Sequence, residues 1–277
     1  MPTPKAFNLI GAGDRAGLIL TSDFPATGRT VAGFSDLFAG LGRAEAVWET
    51  APPLPGRETG MTGRDHVGRW LADVTAAGLP VRAVLGFCVG AVYAAELAEE
   101  LGAAQGAPVP LIVFDPERPD PELLRRHYDG VIGGLSQVLS PGELAASESA
   151  AGDALRESGD SMPKLADAFV RLLAEHGGPA LRRSGLDQRR TGELLDTFSS
   201  FLAYLAAAAD LDPRPAWGRA AAVSSGTAHS GLNPLPAEAR AAAVATELGF
   251  PVQHTDLLRD PDVVRAVGSL LDGLGER

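Results

Sequence analysis

The stretch VLGFCVGAV, residues 84–92, places the only cysteine of this 277-residue chain between two glycines and directly after an apolar run. Residues 86–90 fit the pattern Gly-x-nucleophile-x-Gly, in which a sharp turn from a strand into a helix holds a nucleophile in a strained conformation. The run VRAVLGF predicts a buried parallel strand before the turn, and GAVYAAELAEELGAA predicts a helix that begins at Gly90. We therefore identify Cys88 as the candidate nucleophile. The alternative is an inert cysteine in an ordinary strand-to-helix turn.

The position of Cys88 also predicts something about its ionisation. A cysteine nucleophile reacts as the thiolate, and the positive end of a helix dipole favours that form. Because the turn places Cys88 at the start of the predicted helix, we expect a thiol that ionises readily.

Composition excludes several classes of function. Apolar residues make up 45% of the sequence and charged residues 21%, which is typical of a globular protein. The net charge of −11 argues against a nucleic-acid partner, which would need a basic face. The apolar runs are too short to cross a membrane, the N-terminus has no signal-peptide pattern, and one cysteine forms no internal disulfide, so we expect a cytoplasmic protein. No cluster has metal-ligand spacing, so we expect neither a metal nor a bound cofactor.

The order of predicted elements indicates an α/β fold with a mostly parallel sheet covered by helices on both faces. KAFNLI and GLILTS, joined by GAGDRA, predict a hairpin, and strands and helices alternate from there to VPLIVFD. The chain is then mostly helical and polar over residues 119–215, which is too long for a loop. We expect a helical lid inserted into a core formed by residues 1–118 and 216–277.

The last part of the chain returns to the sheet pattern. RAAAVSSG predicts a strand, PAEARAAAVATELG a helix, FPVQH a short strand, and DPDVVRAVGSLLDGLG a closing helix.

Two further residues have the positions that a cysteine nucleophile requires of its partners. A base is needed to take the thiol proton, and an acid is needed to orient the base. Asp115 ends the strand after the Cys88 turn, and His254 follows the last predicted strand, so both lie where an open parallel sheet places its ligands. The alternative base is His229 in GTAHSG, and the alternative reading of Asp115 is a turn former before PERPDP.

With these residues the chain resembles the thioesterase family of α/β-hydrolases that serves nonribosomal peptide and polyketide synthases, in particular its type II members. GFCVGAVYAAELAEEL with PLIVFDPERPD resembles the family's segment from nucleophile to acid, and HTDLLRDPDVVRAVGSLL its histidine segment. TSDFPATG resembles the loop that supplies the first oxyanion amide. Carried over, that amide belongs to Thr27 and the second to Val89. The chain departs from the family in having Cys88 where serine is usual, and in lacking an acid in VSSGTAHSG.

The resemblance implies an alpha/beta hydrolase fold and an acyltransferase that acts on acyl groups held on the phosphopantetheine of a carrier protein in specialised metabolism. Its acceptor would be a small molecule or a second carrier-bound group. A thiol nucleophile forms a thioester, which reacts more readily with amines and thiols than with water, and this favours transfer. The alternatives are an editing thioesterase that hydrolyses carrier-bound acyl groups, and a carrier-binding scaffold without catalysis. Carrier docking is one reading of the basic segment ALRRSGLDQRRTGE, and a solvated helix face is the other.

Overall fold

The computed structural model describes residues 4–24, 31–43, 45–53, 56 and 60–274. The chain divides into two compact units. The first comprises Met1–Pro52, Gly63–Arg118 and Leu211–Arg277, and the second comprises Pro53–Thr62 and Pro119–Asp210. The second unit thus ends before the boundary at residue 215 that we expected, and the lid role of the helical insertion stays a prediction.

A seven-stranded sheet forms the centre of the first unit, in the order β1-β3-β2-β4-β5-β6-β7. All neighbouring strands are parallel except β1 and β3, which are antiparallel. The predicted mostly parallel sheet is therefore confirmed. The strands are β1 (Phe7–Ala12), β2 (Asp14–Ser22), β3 (Glu45–Thr50), β4 (Val81–Phe87), β5 (Leu111–Phe114), β6 (Ala221–Ser224) and β7 (Thr246–Gly249).

The helices follow the chain order that the apolar patterns predicted. They are α1 (Phe34–Leu41), α2 (Gly63–Ala77), α3 (Gly90–Gln105), α4 (Pro121–Gly134), α5 (Pro141–Ser158), α6 (Met162–Leu172), α7 (Gly178–Arg183), α8 (Gln188–Ala208), α9 (Arg214–Trp217), α10 (Ala237–Ala243) and α11 (Pro261–Asp272). A π-helical turn, Leu173–Gly177, lies between α6 and α7, and a short 3-10 helix, His254–Arg259, precedes α11. Among the described residues, no helix has both the length and the apolar character that crossing a membrane requires.

The predicted hairpin between the first two strands is wrong. β3 lies between β1 and β2, and the chain passes the beginning of β3 where Ala12 pairs with Ala46 and Asp14 pairs with Glu45. A glycine-rich link between two short apolar runs fits a hairpin as well as this crossing. The distinguishing signal is burial, because residues 17–22 are all buried, as an interior parallel strand requires.

The predicted elements before His254 are also wrong in their bounds. The sequence predicted a helix over 236–249 and a strand over 250–254, whereas α10 ends at Ala243 and β7 is the segment TELG. β7 is an edge strand and none of its residues is buried, so it needs no apolar run. Glu247 on β7 instead accepts hydrogen bonds from Arg240 and from the Ser224 hydroxyl.

The second unit is a helical bundle with conventional helix starts. The Asp120 and Asp187 side chains accept backbone N–H groups at the starts of α4 and α8, and Ser140 forms a capping box with Glu143 at the start of α5. Its interior contains Tyr128, which stacks on Phe169 with ring centroids 5.0 Å apart and hydrogen-bonds the buried Ser147 hydroxyl at 2.6 Å.

The turn between β4 and α3 depends on two glycines that leave space for neighbouring backbone. A methyl group on Gly90 would lie 2.1 Å from the Ser22 carbonyl oxygen, at the end of β2. A methyl group on Gly86 would lie 2.5 Å from the Ala91 Cα atom. Both clashes involve backbone atoms of packed elements, which cannot turn aside as a side chain can. The glycines that flank Cys88 are therefore required for α3 to pack against the sheet.

We predict that Gly90→Ala lowers the free energy of unfolding by at least about 1–3 kcal/mol, the range for overpacking a well-packed interior. The matched control is Gly68→Ala, at an exposed position of α2 where a methyl group meets no atom within 4 Å. That variant should gain about 0.5–1 kcal/mol from helix propensity. Urea unfolding followed by circular dichroism measures both changes. Equal stability of the two variants would contradict the close approach of α3 to β2.

Candidate active site

Cys88 lies at the tip of the turn in a conformation that L-residues rarely adopt. Its φ angle is +52°, in the left-handed region. Three hydrogen bonds of its backbone hold it there: its N–H donates to Phe114 (2.9 Å), and its carbonyl accepts from Ala91 (3.1 Å) and Glu117 (3.3 Å). Backbone strain of this kind persists only where the surrounding structure enforces it, and it is concentrated at functional sites.

The two predicted oxyanion donors have different outcomes. Val89 is buried and follows Cys88 at the beginning of α3, and its backbone N–H is hydrogen-bonded to the Cys88 sulfur. The amide is therefore close to the atom at which a tetrahedral intermediate would form. Thr27 lies outside the described residues, and its oxyanion role stays a prediction.

Asp115 is fully buried directly after β5, and it also has a positive φ angle, +39°. Its N–H donates to the Val223 carbonyl on β6 at 2.9 Å, and its Oδ1 atom accepts the Ser225 N–H at 2.8 Å. Gly231 covers it from the other side, with a φ angle of +57° and a position where a methyl group would lie 2.6 Å from the Asp115 Cα atom. The carboxylate is consequently fixed in one orientation.

His254 meets the remaining oxygen of that carboxylate. Its Nδ1 atom lies 2.7 Å from Asp115 Oδ2. Its imidazole stacks on Phe87, the residue before Cys88, with ring centroids 4.7 Å apart and planes at 17°. With Nδ1 on the carboxylate, the Nε2 atom is left as the proton acceptor of the neutral ring. The structure thus brings Asp115 and His254 together beside the Cys88 turn.

The loop after β6 positions His254, although the sequence suggested it only as a place that lacks an acid. The Thr227 hydroxyl accepts the His254 N–H at 2.8 Å. Asn233 in turn donates to the carbonyl groups of Ser225 (2.9 Å) and Thr227 (2.8 Å), which closes the loop. The alternative base, His229, lies in the same loop at an exposed turn, whereas the Asp115 carboxylate contacts His254.

Glu117 is a residue of the site that the sequence analysis missed. The Cys88 thiol donates to the Glu117 Oε2 atom, with a sulfur–oxygen distance of 3.6 Å. Among the described residues, no hydrogen bond joins the thiol to His254 in this arrangement. The only signal in the sequence is that a carboxylate stands two positions after Asp115, which a turn rich in proline and acidic residues also explains.

The expectation of a readily ionised thiol is wrong. Burial is the largest of the effects that raise the pKa of Cys88 well above its usual range, and the negative charges of Glu117 and Asp23 add to it. The hydrogen bond from the Val89 amide acts in the opposite direction but does not reverse the shift. The helix start therefore counts for less than lost hydration and two nearby carboxylates, and the resting nucleophile is the neutral thiol.

The described part of the chain contains no group of three histidine, cysteine, aspartate or glutamate side chains that could hold a metal ion. What the arrangement offers is nucleophilic chemistry: a positioned thiol, an amide next to it, and an imidazole oriented by a buried carboxylate.

Comparison with solved structures identifies the fold as that of the α/β-hydrolases. The Vlm2 thioesterase domain with genetically encoded 2,3-diaminopropionic acid, bound with a dodecadepsipeptide, is 19% identical over 98% of both chains, with a TM-score of 0.52. The NocB thioesterase domain in a covalent complex with a fluorophosphonate nocardicin G analog is 18% identical over 92% of this chain and 94% of that one, with a TM-score of 0.52. DBJA is 15% identical over 98% and 95%, with a TM-score of 0.53.

No protein-family model and no curated protein sequence matches this chain. At the identities of the solved structures, the likeness establishes the fold. The chemistry rests on the residues of the site themselves.

We predict that alkylation of Cys88 by iodoacetamide is slow at neutral pH and accelerates only above the usual range of a thiol pKa, because the thiolate is the reactive form. Glu117→Gln removes a negative charge that disfavours the thiolate, so its pH profile should shift to lower pH. The control Glu100→Gln makes the same charge change at an exposed position of α3 and should leave the profile in place. Intact-protein mass spectrometry follows the reaction. Identical profiles for all three proteins would refute the influence of Glu117 on the thiol.

Proposed function

We propose that this protein is a thioesterase-like acyltransferase, which takes acyl groups from carrier-protein thioesters through a covalent intermediate on Cys88. The observation that carries the proposal is the placement of a strained, glycine-flanked cysteine beside a hydrogen-bonded Asp115–His254 pair. The thioesterase domains among the structures of the same fold support the substrate class. The α/β-hydrolase fold alone hosts many chemistries and would not select this one.

In the proposed reaction the Cys88 sulfur attacks the thioester carbonyl carbon, and His254 Nε2 takes the thiol proton. The thiol first has to turn from Glu117 to His254, a change that substrate binding in the site would drive. Asp115 holds the imidazole with Nε2 free and stabilises the imidazolium. The backbone amide of Val89, with that of Thr27, stabilises the oxyanion. The carbon–sulfur bond to the carrier then breaks, and the departing thiol takes the proton from His254.

The neutral resting thiol fits a nucleophile that is activated only when substrate arrives. A cysteine whose pKa is raised reacts slowly with adventitious oxidants and electrophiles, because these attack the thiolate. Proton transfer to His254 produces the reactive form next to the bound thioester. In this account, Cys88 is activated by its base and not by the helix dipole.

A cysteine in place of serine favours transfer over hydrolysis. The acyl group moves from one thioester to another, so its activation is retained on the enzyme. Thioesters react more readily with amines and thiols than with water. We propose that the helical insertion acts as a lid that limits water during the lifetime of this intermediate. The rival function is an editing thioesterase, in which water is the acceptor.

The basic segment ALRRSGLDQRRTGE contributes less to carrier docking than its composition suggests. Arg183 pairs with Glu143 at 2.9 Å, and Arg189 pairs with Glu193 at 3.1 Å. These local ion pairs compensate two of its four arginines, which favours the solvated-face interpretation of the segment. The docking surface for the carrier is therefore left open in the proposal.

We predict that the acyl-enzyme at Cys88 persists in buffer and discharges quickly when a suitable acceptor is added. The enzyme is loaded with an acyl pantetheine thioester, freed of excess substrate, and divided between buffer alone and buffer with an amine, a thiol or a hydroxyl compound. Mass spectrometry gives the amount of acyl-enzyme and the product. If the acyl-enzyme hydrolyses as fast as it forms, and no acceptor changes the product, the protein is an editing thioesterase.

A further inference from the structure

Glu117 is held in a fixed relation to the nucleophile by its own backbone. Its N–H donates to the Cys88 carbonyl at 3.3 Å, while its Oε2 atom accepts the Cys88 thiol at 3.6 Å. Main chain and side chain therefore both connect Glu117 to the residue that would be acylated. The residue is half-buried, so its carboxylate is neither deep in the core nor freely solvated.

Acylation changes the surroundings of this carboxylate in a defined way. The thiol proton leaves when Cys88 becomes a thioester, so the Oε2 atom loses the donor that it has in the resting protein. The acyl carbonyl carbon is then bonded directly to the sulfur that Oε2 faced. A negatively charged oxygen thus stands next to the electrophilic carbon at the moment when an acceptor must approach.

On this basis, and resting on the function proposed above, we propose that Glu117 binds the acyl acceptor and that this acceptor is a primary amine. An amine arrives in water mainly as its ammonium ion, which a carboxylate attracts and hydrogen-bonds. Asp23, buried close enough for its charge to act on the sulfur, adds to the negative potential. A thiol acceptor is disfavoured by the same charges, because it must approach as a thiolate, and neutral water or alcohol is not attracted in this way.

The proton balance of the transfer uses both Glu117 and His254. The ammonium gives one proton to the Glu117 carboxylate and becomes a nucleophilic amine. Its nitrogen bonds to the acyl carbon, and the N–H proton that becomes acidic in the tetrahedral intermediate passes to His254 Nε2. The carbon–sulfur bond breaks, Cys88 regains its proton from His254, and the proton on Glu117 passes to solvent. The products are an amide, the resting thiol and one released proton.

The experiment compares wild type, Glu117→Gln and the control Glu100→Gln, each preloaded with the same acyl pantetheine thioester. Propylamine, propanol and propanethiol serve as acceptors of nearly equal size. We expect Glu117→Gln to form the acyl-enzyme but to lose about 10- to 100-fold in the rate of amide formation, the effect of one hydrogen bond to a charged group. Its rates with water and propanol should stay near wild type, and Glu100→Gln should match wild type throughout. Glu117→Asp, which keeps the charge, should restore part of the amine rate.

A second measurement uses the wild-type protein alone and needs no variant to fold. Discharge by propylamine should slow as ionic strength rises, whereas discharge by propanol should not, because salt screens the attraction of a cation. Acyl-enzyme that forms but discharges to propylamine equally in wild type and Glu117→Gln, or without salt dependence, would overturn the role of Glu117 and leave the proposed function standing. A wild-type protein that forms no acyl-enzyme would instead overturn the proposed function itself.

Discussion

The close approach of α3 to the sheet is the constraint on which the rest of the site depends. Gly90 lets the first turn of α3 lie against the Ser22 carbonyl, and Gly86 lets the end of β4 lie against Ala91. With both neighbours fixed, the chain can pass from strand to helix only through a residue with a positive φ angle, and that residue is Cys88. The side chain that stands at the tip of the turn is therefore set by packing of backbone on backbone.

Parallel strand order then assembles the remaining groups at the same edge of the sheet. β4 and β5 are neighbours, so their ends place Cys88 and Asp115 side by side, and the Cys88 N–H binds the Phe114 carbonyl directly. β6 is the next strand, and the loop after it supplies Ser225 to the carboxylate and Thr227 to His254. Residues far apart in the sequence thus meet because each follows a strand whose neighbours are fixed by the register.

The sequence was sufficient for those parts of the fold that short patterns encode. The buried strand before Cys88 and the helix from Gly90 are contiguous and strongly patterned, and the structure has both with the predicted bounds. The pairing of β1 and the bounds of β7 could not be predicted, because a short apolar run does not name its neighbour and an edge strand needs no apolar residues. The direction of the Glu117 side chain and the high pKa of the thiol depend on three-dimensional proximity, which no local pattern contains.

The central claim of this account is that Cys88 accepts an acyl group with His254 as its base. The most direct measurement is the rate at which the intact protein gains one acyl mass from an acyl pantetheine thioester. Wild type and His229→Ala should acylate at similar rates, Cys88→Ala should gain no mass, and His254→Ala should be slower by orders of magnitude, as for loss of a residue of a catalytic triad. Acylation of Cys88→Ala, or equal rates for the two histidine variants, would contradict the account.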